Sequence, residues 1–288
     1  MIRNNPYQQK DGRPIIGLVT TPIGNLKDIT YRAVEFLRDA DIVACEDTRN
    51  TGALLSRFDI HPAKLVSLYA QTELKGAKEL VAEVKQKRLK LAYCSDAGMP
   101  GISDPGALLV QAAYQDNVPV TVLPGATAGL SALVISGIDS ADFSFYGFLP
   151  TKKGSIIQML KPLADRQESL IFYESPKRVK ATIGIMNDVF GPDREASLIR
   201  ELTKIHEEVI HGTLKELNAA IDSEVRGECV IIVKGADENK KALSDESLVE
   251  LIKDELKHGK PLSQIAKEIS ADTGIKKNHI YELGLNLK

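Results

Sequence analysis

Ser95-Asp96-Ala97-Gly98-Met99-Pro100-Gly101-Ile102-Ser103-Asp104-Pro105-Gly106 follows directly on the apolar run Leu89 to Cys94. The run has the length and character of a buried strand. The three glycines and two prolines that come next in twelve residues suit neither a helix nor a ladder. Glycine opens positive φ and lets a ligand approach the backbone, and proline fixes the bends between. Two aspartates, Asp96 and Asp104, sit inside this shaped loop. Open parallel α/β sheets take small ligands at the carboxyl ends of their strands. An α/β fold with a ligand cleft is the expectation.

The same arrangement recurs on either side. Ile15 to Thr20 reads as a strand closed by Thr21-Pro22-Ile23-Gly24-Asn25, and Asp28 or Thr30 can cap a helix running to Arg38. Ile42 to Cys45 is a second buried strand and runs into Glu46-Asp47-Thr48-Arg49. Those charges sit at the ligand edge of a doubly wound sheet, although Asp47 and Thr48 serve equally well as helix caps. A strand at Leu65 to Tyr69, a helix at Glu73 to Arg88 and a helix at Ala107 to Gln115 continue the pattern. Val118 to Leu123 then ends at Pro124-Gly125-Ala126-Thr127-Ala128-Gly129. A helix from there to Ser136 offers its amino-terminal N–H groups to an anion. Phe143 to Leu149 reads as the closing strand of this first unit, and the alternation calls for a mainly parallel sheet with helices on both faces.

Pro150 to Gly154 reads as a linker to a second α/β unit. Strands at Leu170 to Tyr173 and Glu195 to Ile199 end in Glu174-Ser175-Pro176-Lys177-Arg178 and Arg200-Glu201-Leu202-Thr203-Lys204, and Gly227 to Gly235 finishes the unit. Beyond it, apolar stripes at Leu248, Leu251, Ile252 and Leu256, at Ile265 and Ile269, and at Ile280 and Leu283 describe helices. Ser263 to Tyr281 has the cadence of a helix-turn-helix, with Asp272-Thr273-Gly274 at the turn. Nine basic against ten acidic residues between 237 and 288 argue against a basic nucleic-acid arm and for an accessory module. The expected organisation is 15–150, 151–237 and 238–288, with the first two units facing each other across a cleft.

Composition narrows the function classes. The 288 residues carry 37 Lys and Arg against 39 Asp and Glu, a net charge of −2, so no global field drives nucleic-acid binding. Neither a signal peptide nor a membrane span is legible, and a cytoplasmic protein is expected. Cys45, Cys94 and Cys229 lie far apart in strand-like runs and read as reduced core thiols, with no metal-ligand spacing. The first strand is followed by neither G-x-G-x-x-G nor G-x-x-x-x-G-K-[ST]. His206 and His211 are five apart, one too many for the zinc protease motif.

Taken together, Thr21–Asn25, Glu46–Arg49, Ser95–Gly106, Leu123–Ala128, Phe145–Pro150, Tyr173–Arg178 and Arg200–Glu208 resemble, in order, the blocks of the tetrapyrrole methylase superfamily of S-adenosylmethionine (SAM)-dependent methyltransferases. The resemblance covers about residues 15 to 235 and is nearest to the branch acting on ribosomal RNA, whose helical extension the 244–286 segment also resembles. It implies two α/β domains with SAM folded in the cleft between them. The cofactor contacts it implies fall on Pro22, Asp96, Ala97, Ile102, Ser103, Thr127, Ala128, Glu174 and Leu202. Ser95-Asp96-Ala97 stands where the family has Gly-Asp-Pro, so the aspartate is kept while its neighbours differ.

The implied reaction is methyl transfer to a ribose 2′-hydroxyl, on a decoding-centre cytidine of 16S ribosomal RNA within the small ribosomal subunit. A ribose hydroxyl is a poor nucleophile, and Asp47, Glu174, Glu201 and Lys204 are the candidates for removing its proton, the lysine only with a lowered pKa. Arg49, Arg178 and Arg200 are placed to hold flanking phosphates, although the whole charged set equally describes an interdomain salt-bridge network. A homodimer is expected from the resemblance. Two other functions fit the same blocks: methylation of a corrinoid or porphyrinogen, and a ribosome-assembly factor that holds SAM without turnover.

Overall fold

The computed structural model describes residues 4–6, 11–68, 73–102, 106–221, 225–237, 245–273 and 275–287. Five strands form the first sheet: β1 (Ile15–Val19), β2 (Ile42–Cys45), β3 (Lys64–Ser67), β4 (Lys90–Cys94) and β5 (Val120–Leu123). Their order is β3-β2-β4-β1-β5, and every pairing is parallel. β2 is wholly buried and β4 nearly so, as expected of strands covered on both faces. One face packs against α1 (Tyr31–Arg38) and α2 (Thr48–Arg57), through Phe36, Leu37 and Leu55. The other packs against α3 (Glu73–Lys87) and α4 (Ala107–Gln115), through Val81, Val84 and Leu109. Thr30 caps α1, its hydroxyl accepting from the Ala33 amide at 3.1 Å.

The chain crosses to the second sheet earlier than the sequence suggests. α5 (Ala128–Ile135) lays Ala132 and Leu133 against Ile171, Ile199, Val230 and Ile232 of the second sheet. β6 (Phe143–Phe148), expected to close the first unit, instead pairs in parallel with β7 (Ser169–Glu174). Its apolar alternation declares a strand but names no partner. The partner is set by rings far along the chain: Tyr146 stacks on Phe172 at 5.3 Å, and Phe145 meets Tyr173 edge-on at 5.0 Å. The 150–154 segment is accordingly the connection from β6 to α6 (Lys153–Leu160), and the passage between sheets runs through Pro124 to Thr127.

The second sheet is completed by β8 (Glu195–Arg200), β9 (Glu208–Thr213) and β10 (Cys229–Val233), in the order β6-β7-β10-β8-β9. It is antiparallel except at β6–β7. α6, α7 (Val179–Phe190) and α8 (Leu214–Ala220) cover the face opposite α5, around Phe172, Met186, Leu198 and Ile231. The last three helices, α9 (Asp245–Lys257), α10 (Leu262–Thr273) and α11 (Lys277–Leu285), enclose a small core of Leu248, Ile252, Ile265, Ala266 and Ile280. Lys276, Lys277, Asn278, His279 and Tyr281 are exposed at and along α11, and His279 pairs with Asp245 at 2.7 Å. Cys45, Cys94 and Cys229 are free and buried.

Candidate active site

Two loops of the first sheet are fastened to each other before they meet the second. The Thr21 amide donates to the Gly98 carbonyl at 3.0 Å and the Gly98 amide returns a bond to Thr21 at 3.1 Å, a one-residue antiparallel bridge. The Ser95 hydroxyl donates to the Gly98 carbonyl at 3.2 Å. Gly98 sits at φ +79°, and a Cβ there would lie 3.3 Å from Ile23 Cγ2. The position therefore asks for glycine on both conformation and space.

Contacts with the second sheet come from three places. Gly24 lies so close to the 202–204 loop that a Cβ would fall 2.6 Å from Lys204 Cγ and 3.0 Å from the Leu202 carbonyl. The Asn25 amide donates to Thr203 Oγ1 at 3.1 Å. The Gly129 amide donates to the Tyr173 hydroxyl at 2.9 Å, tying the first turn of α5 to β7. Glu201 and Thr203 both hold positive φ, at 51° and 65°, a conformation that side-chain-bearing residues keep only where surrounding contacts enforce it.

The cleft so formed contains a cavity of about 470 Å³, within the range that small-molecule ligands occupy. Asp96, Ala97, Met99 and Ile102 line it from the loop after β4, and Thr127 and Ala128 from the amino end of α5. Phe148, Tyr173, Glu174 and Val230 line it from the second sheet, with Ile23 and Glu46 completing the wall. A neighbouring hollow of about 370 Å³ shares Ile23, Asp96, Ala97 and Glu228 with it and adds Pro22, Asn50, Arg57 and Lys204. Of the sequence-derived cofactor positions, Asp96, Ala97, Ile102, Thr127, Ala128 and Glu174 thus meet in one cavity, with Pro22 next to it. Leu202 packs between α5 and the second sheet and lines neither hollow, its carbonyl approaching Gly24 at the edge of the smaller one. Ser103 and Asp104 lie outside the described residues.

The charged residues singled out as bases or phosphate clamps are paired with one another. Asp47 caps α2: its carboxylate accepts the Arg49 amide at 2.8 Å and the Arg49 guanidinium at 3.1 and 2.6 Å. Those bonds pull its pKa down to about 2, far below what a working base needs. Glu174, with a side chain 1% exposed, accepts from the Ser175 amide (2.7 Å), Thr182 Oγ1 (2.8 Å) and Arg178 (2.8 Å). Arg178 also donates to the Leu149 and Pro150 carbonyls, so this pair builds the junction of β6, β7 and α7.

Arg200 is bonded to Glu208 across the β8–β9 ladder, which raises the arginine pKa. Lys204 bridges Glu201 at 2.9 Å and Glu228 at 3.3 Å. Burial works to lower the lysine pKa, but the two carboxylates prevail and raise it, opposite to what a lysine base requires. Glu201 is lowered in return by the Lys204 hydrogen bond.

Glu46 is the carboxylate that sequence reasoning passed over. It lies at the carboxyl end of β2, lines the cavity, and has no hydrogen-bond or ion-pair partner among the described residues. Burial, then the neighbouring charges of Asp96 and Asp47, push its pKa up. The signal that could have found it is the one that selected Asp47, a charge placed directly after a buried strand. Phe148, Tyr173 and Glu228 carried no such signal, because the strand order of the second sheet puts them there. Asp96 is oriented by Asn50, whose Nδ2 donates to it at 2.9 Å. Among the described residues no cluster of His, Cys, Asp and Glu suits a metal ion.

Residues 16–218 match the family model described as Tetrapyrrole (Corrin/Porphyrin) Methylases. The chain is 40% identical over 282 residues to "Ribosomal RNA small subunit methyltransferase I" of Halalkalibacterium halodurans, covering 96% of each chain. It is 37% identical over 287 residues to the protein of the same name from Bacillus subtilis, covering 97% of each. Among solved structures, diphthine synthase superposes with a TM-score of 0.59 at 15% identity, covering 77% of this chain and 90% of that one. Uroporphyrin-III-C-methyltransferase from Thermus thermophilus gives 0.53 at 18% identity, covering 76% and 91%. With a cleft built as the ordered sequence blocks require and a match spanning both sheets, the chain belongs to the tetrapyrrole methylase family.

Proposed function

We propose that the chain transfers a methyl group from SAM to the ribose 2′-hydroxyl of a decoding-centre cytidine of 16S ribosomal RNA, on the assembled small ribosomal subunit. The observation that carries this reading is likeness to small-subunit rRNA methyltransferases along 96–97% of both chains. The cavity suits SAM. Thr127 and Ala128 bring the amino end of α5, which no side chain caps, to its wall, a place for the carboxylate. Ile23, Met99 and Ile102 offer apolar contact for the adenine, and Asp96 would accept from hydroxyl or ammonium donors. When bound, SAM supplies a methyl group on a positively charged sulfur, an electrophile that needs alignment more than activation.

The protein's remaining task is the nucleophile. Glu46 is the base that takes the ribose proton: it lines the cavity, is free of partners among the described residues, and is raised toward the working pH by burial. Glu174 and Arg178 fix the junction of β6, β7 and α7, and Lys204 ties the loop after β8 to Glu201 and Glu228. A net charge of −2 gives naked RNA little general attraction, so a folded ribonucleoprotein is the better acceptor than free rRNA. No helix among the described residues is long and apolar enough to cross a membrane, and the protein works in the cytoplasm with its substrate.

The protein is a homodimer. The outer face of α5 (Leu130, Val134) and edge strand β6 (Phe143, Phe145) expose apolar side chains, with Val134 76% exposed, that a second copy would cover. Incubating small subunits with labelled SAM tests the reaction. Label recovered as 2′-O-methylcytidine is expected, and label absent from the RNA would overturn the reading.

A further inference from the structure

The hollows do not stop at the cleft. The one that holds Pro22, Asn50 and Lys204 shares Leu26 and Arg57 with a third, open groove of about 690 Å³ between α1 and the end of α2. Three cations, Lys27, Arg38 and Arg57, line that groove against one acid, Glu35. Lys27 and Arg57 have no ion pair among the described residues, and Arg38 donates only to the Phe58 carbonyl, at 3.2 Å. Tyr31, 92% exposed, stands on the same wall. Arg38 and Arg57 each end a helix, where a cation complements the helix dipole. That role accounts for neither Lys27 nor a fully exposed tyrosine beside them.

We infer that this groove carries the RNA strand flanking the methylated nucleotide, with Arg57, Lys27 and Arg38 on its phosphates and Tyr31 stacked on a base. The inference rests on the proposed reaction and deepens it by placing the substrate. A net-positive groove that adjoins, through Leu26 and Arg57, the hollow beside the cavity is complementary to a polyanion, in a chain whose net charge is −2. Unpaired cations with an exposed ring are the elements by which proteins track a single strand. Arg49, Arg178 and Arg200, the phosphate clamps expected from the sequence, are already held by carboxylates, whereas Lys27, Arg38 and Arg57 have no carboxylate partner among the described residues.

The test is steady-state methylation of small subunits by wild type, Tyr31→Ala, Arg57→Ala, Arg57→Lys and the control Lys75→Ala/Lys78→Ala, over a range of salt, with SAM affinity measured alongside. Tyr31→Ala and Arg57→Ala should raise KM for subunits about tenfold, with kcat and SAM affinity unchanged. Arg57→Ala should also lower the slope of log KM against log salt by about 0.7, the loss of one phosphate contact on a single strand. Arg57→Lys should restore most of the effect, and the control should behave as wild type. Unchanged KM and slope in both alanine variants would overturn the inference while leaving the reaction standing. So would a KM change without any slope change in Arg57→Ala, which would signal a contact with ribosomal protein. Absence of transfer by the wild type would remove the reaction itself, and the groove's role with it.

Discussion

Glu46 and Asp47 are adjacent carboxylates at the end of one strand, and their surroundings push them apart. Hydrogen bonds from Arg49 hold Asp47 ionised down to about pH 2, whereas burial near Asp96 favours the neutral form of Glu46. Glu46→Gln should lower kcat about a hundredfold or more, as loss of a general base does, while leaving SAM affinity within a few-fold. Stability responds in the opposite direction. A carboxylate whose folded pKa is raised favours the folded state most when protonated, and that advantage is lost as pH rises through the folded value. The glutamine variant should therefore match or exceed wild type in urea midpoint near neutral pH, and the gap should close below about pH 4, the ordinary glutamate range. Wild-type kcat in this variant would exclude Glu46 as the base.

At the scale of elements, the loops after β1 and β4 act as one body through the Thr21–Gly98 bridge. Gly98→Ala forces a Cβ onto a φ of +79° and into contact with Ile23. It should cost about 1 kcal/mol or more in stability and weaken SAM binding, read by thermal melts and titration calorimetry. These loops were legible in the sequence because proline fixes φ and glycine marks the positions that need positive φ, and a buried strand ahead of them fixes their direction. β6 was legible as a strand but not in its sheet, because its partners Phe172 and Tyr173 lie some way along the chain and only packing selects them. Charged loop residues were legible in position and not in role. Residue type alone does not separate a carboxylate free in a cavity from one bonded to an arginine, as Glu46 and Glu174 show.

For the whole molecule, two sheets of different construction meet at a cleft whose walls come from both, while α5 follows the first sheet in sequence and packs on the second. The apolar face of α5 and β6 adjoins that cleft, since Phe148 at the end of β6 lines the cavity. Val134→Asp should shift sedimentation from dimer to monomer without unfolding the chain, because Val134 is mostly exposed in the single subunit; a dimer that persists would place the interface elsewhere. The most direct test of the central claim is mass-spectrometric mapping of ribose methylation after small subunits are incubated with SAM and either wild-type protein or Asp96→Ala. One new 2′-O-methyl group is expected, on a single cytidine of the decoding centre, formed by wild type and lost or sharply reduced in the variant. Ribose methylation at no position, or scattered over many, would contradict the claim.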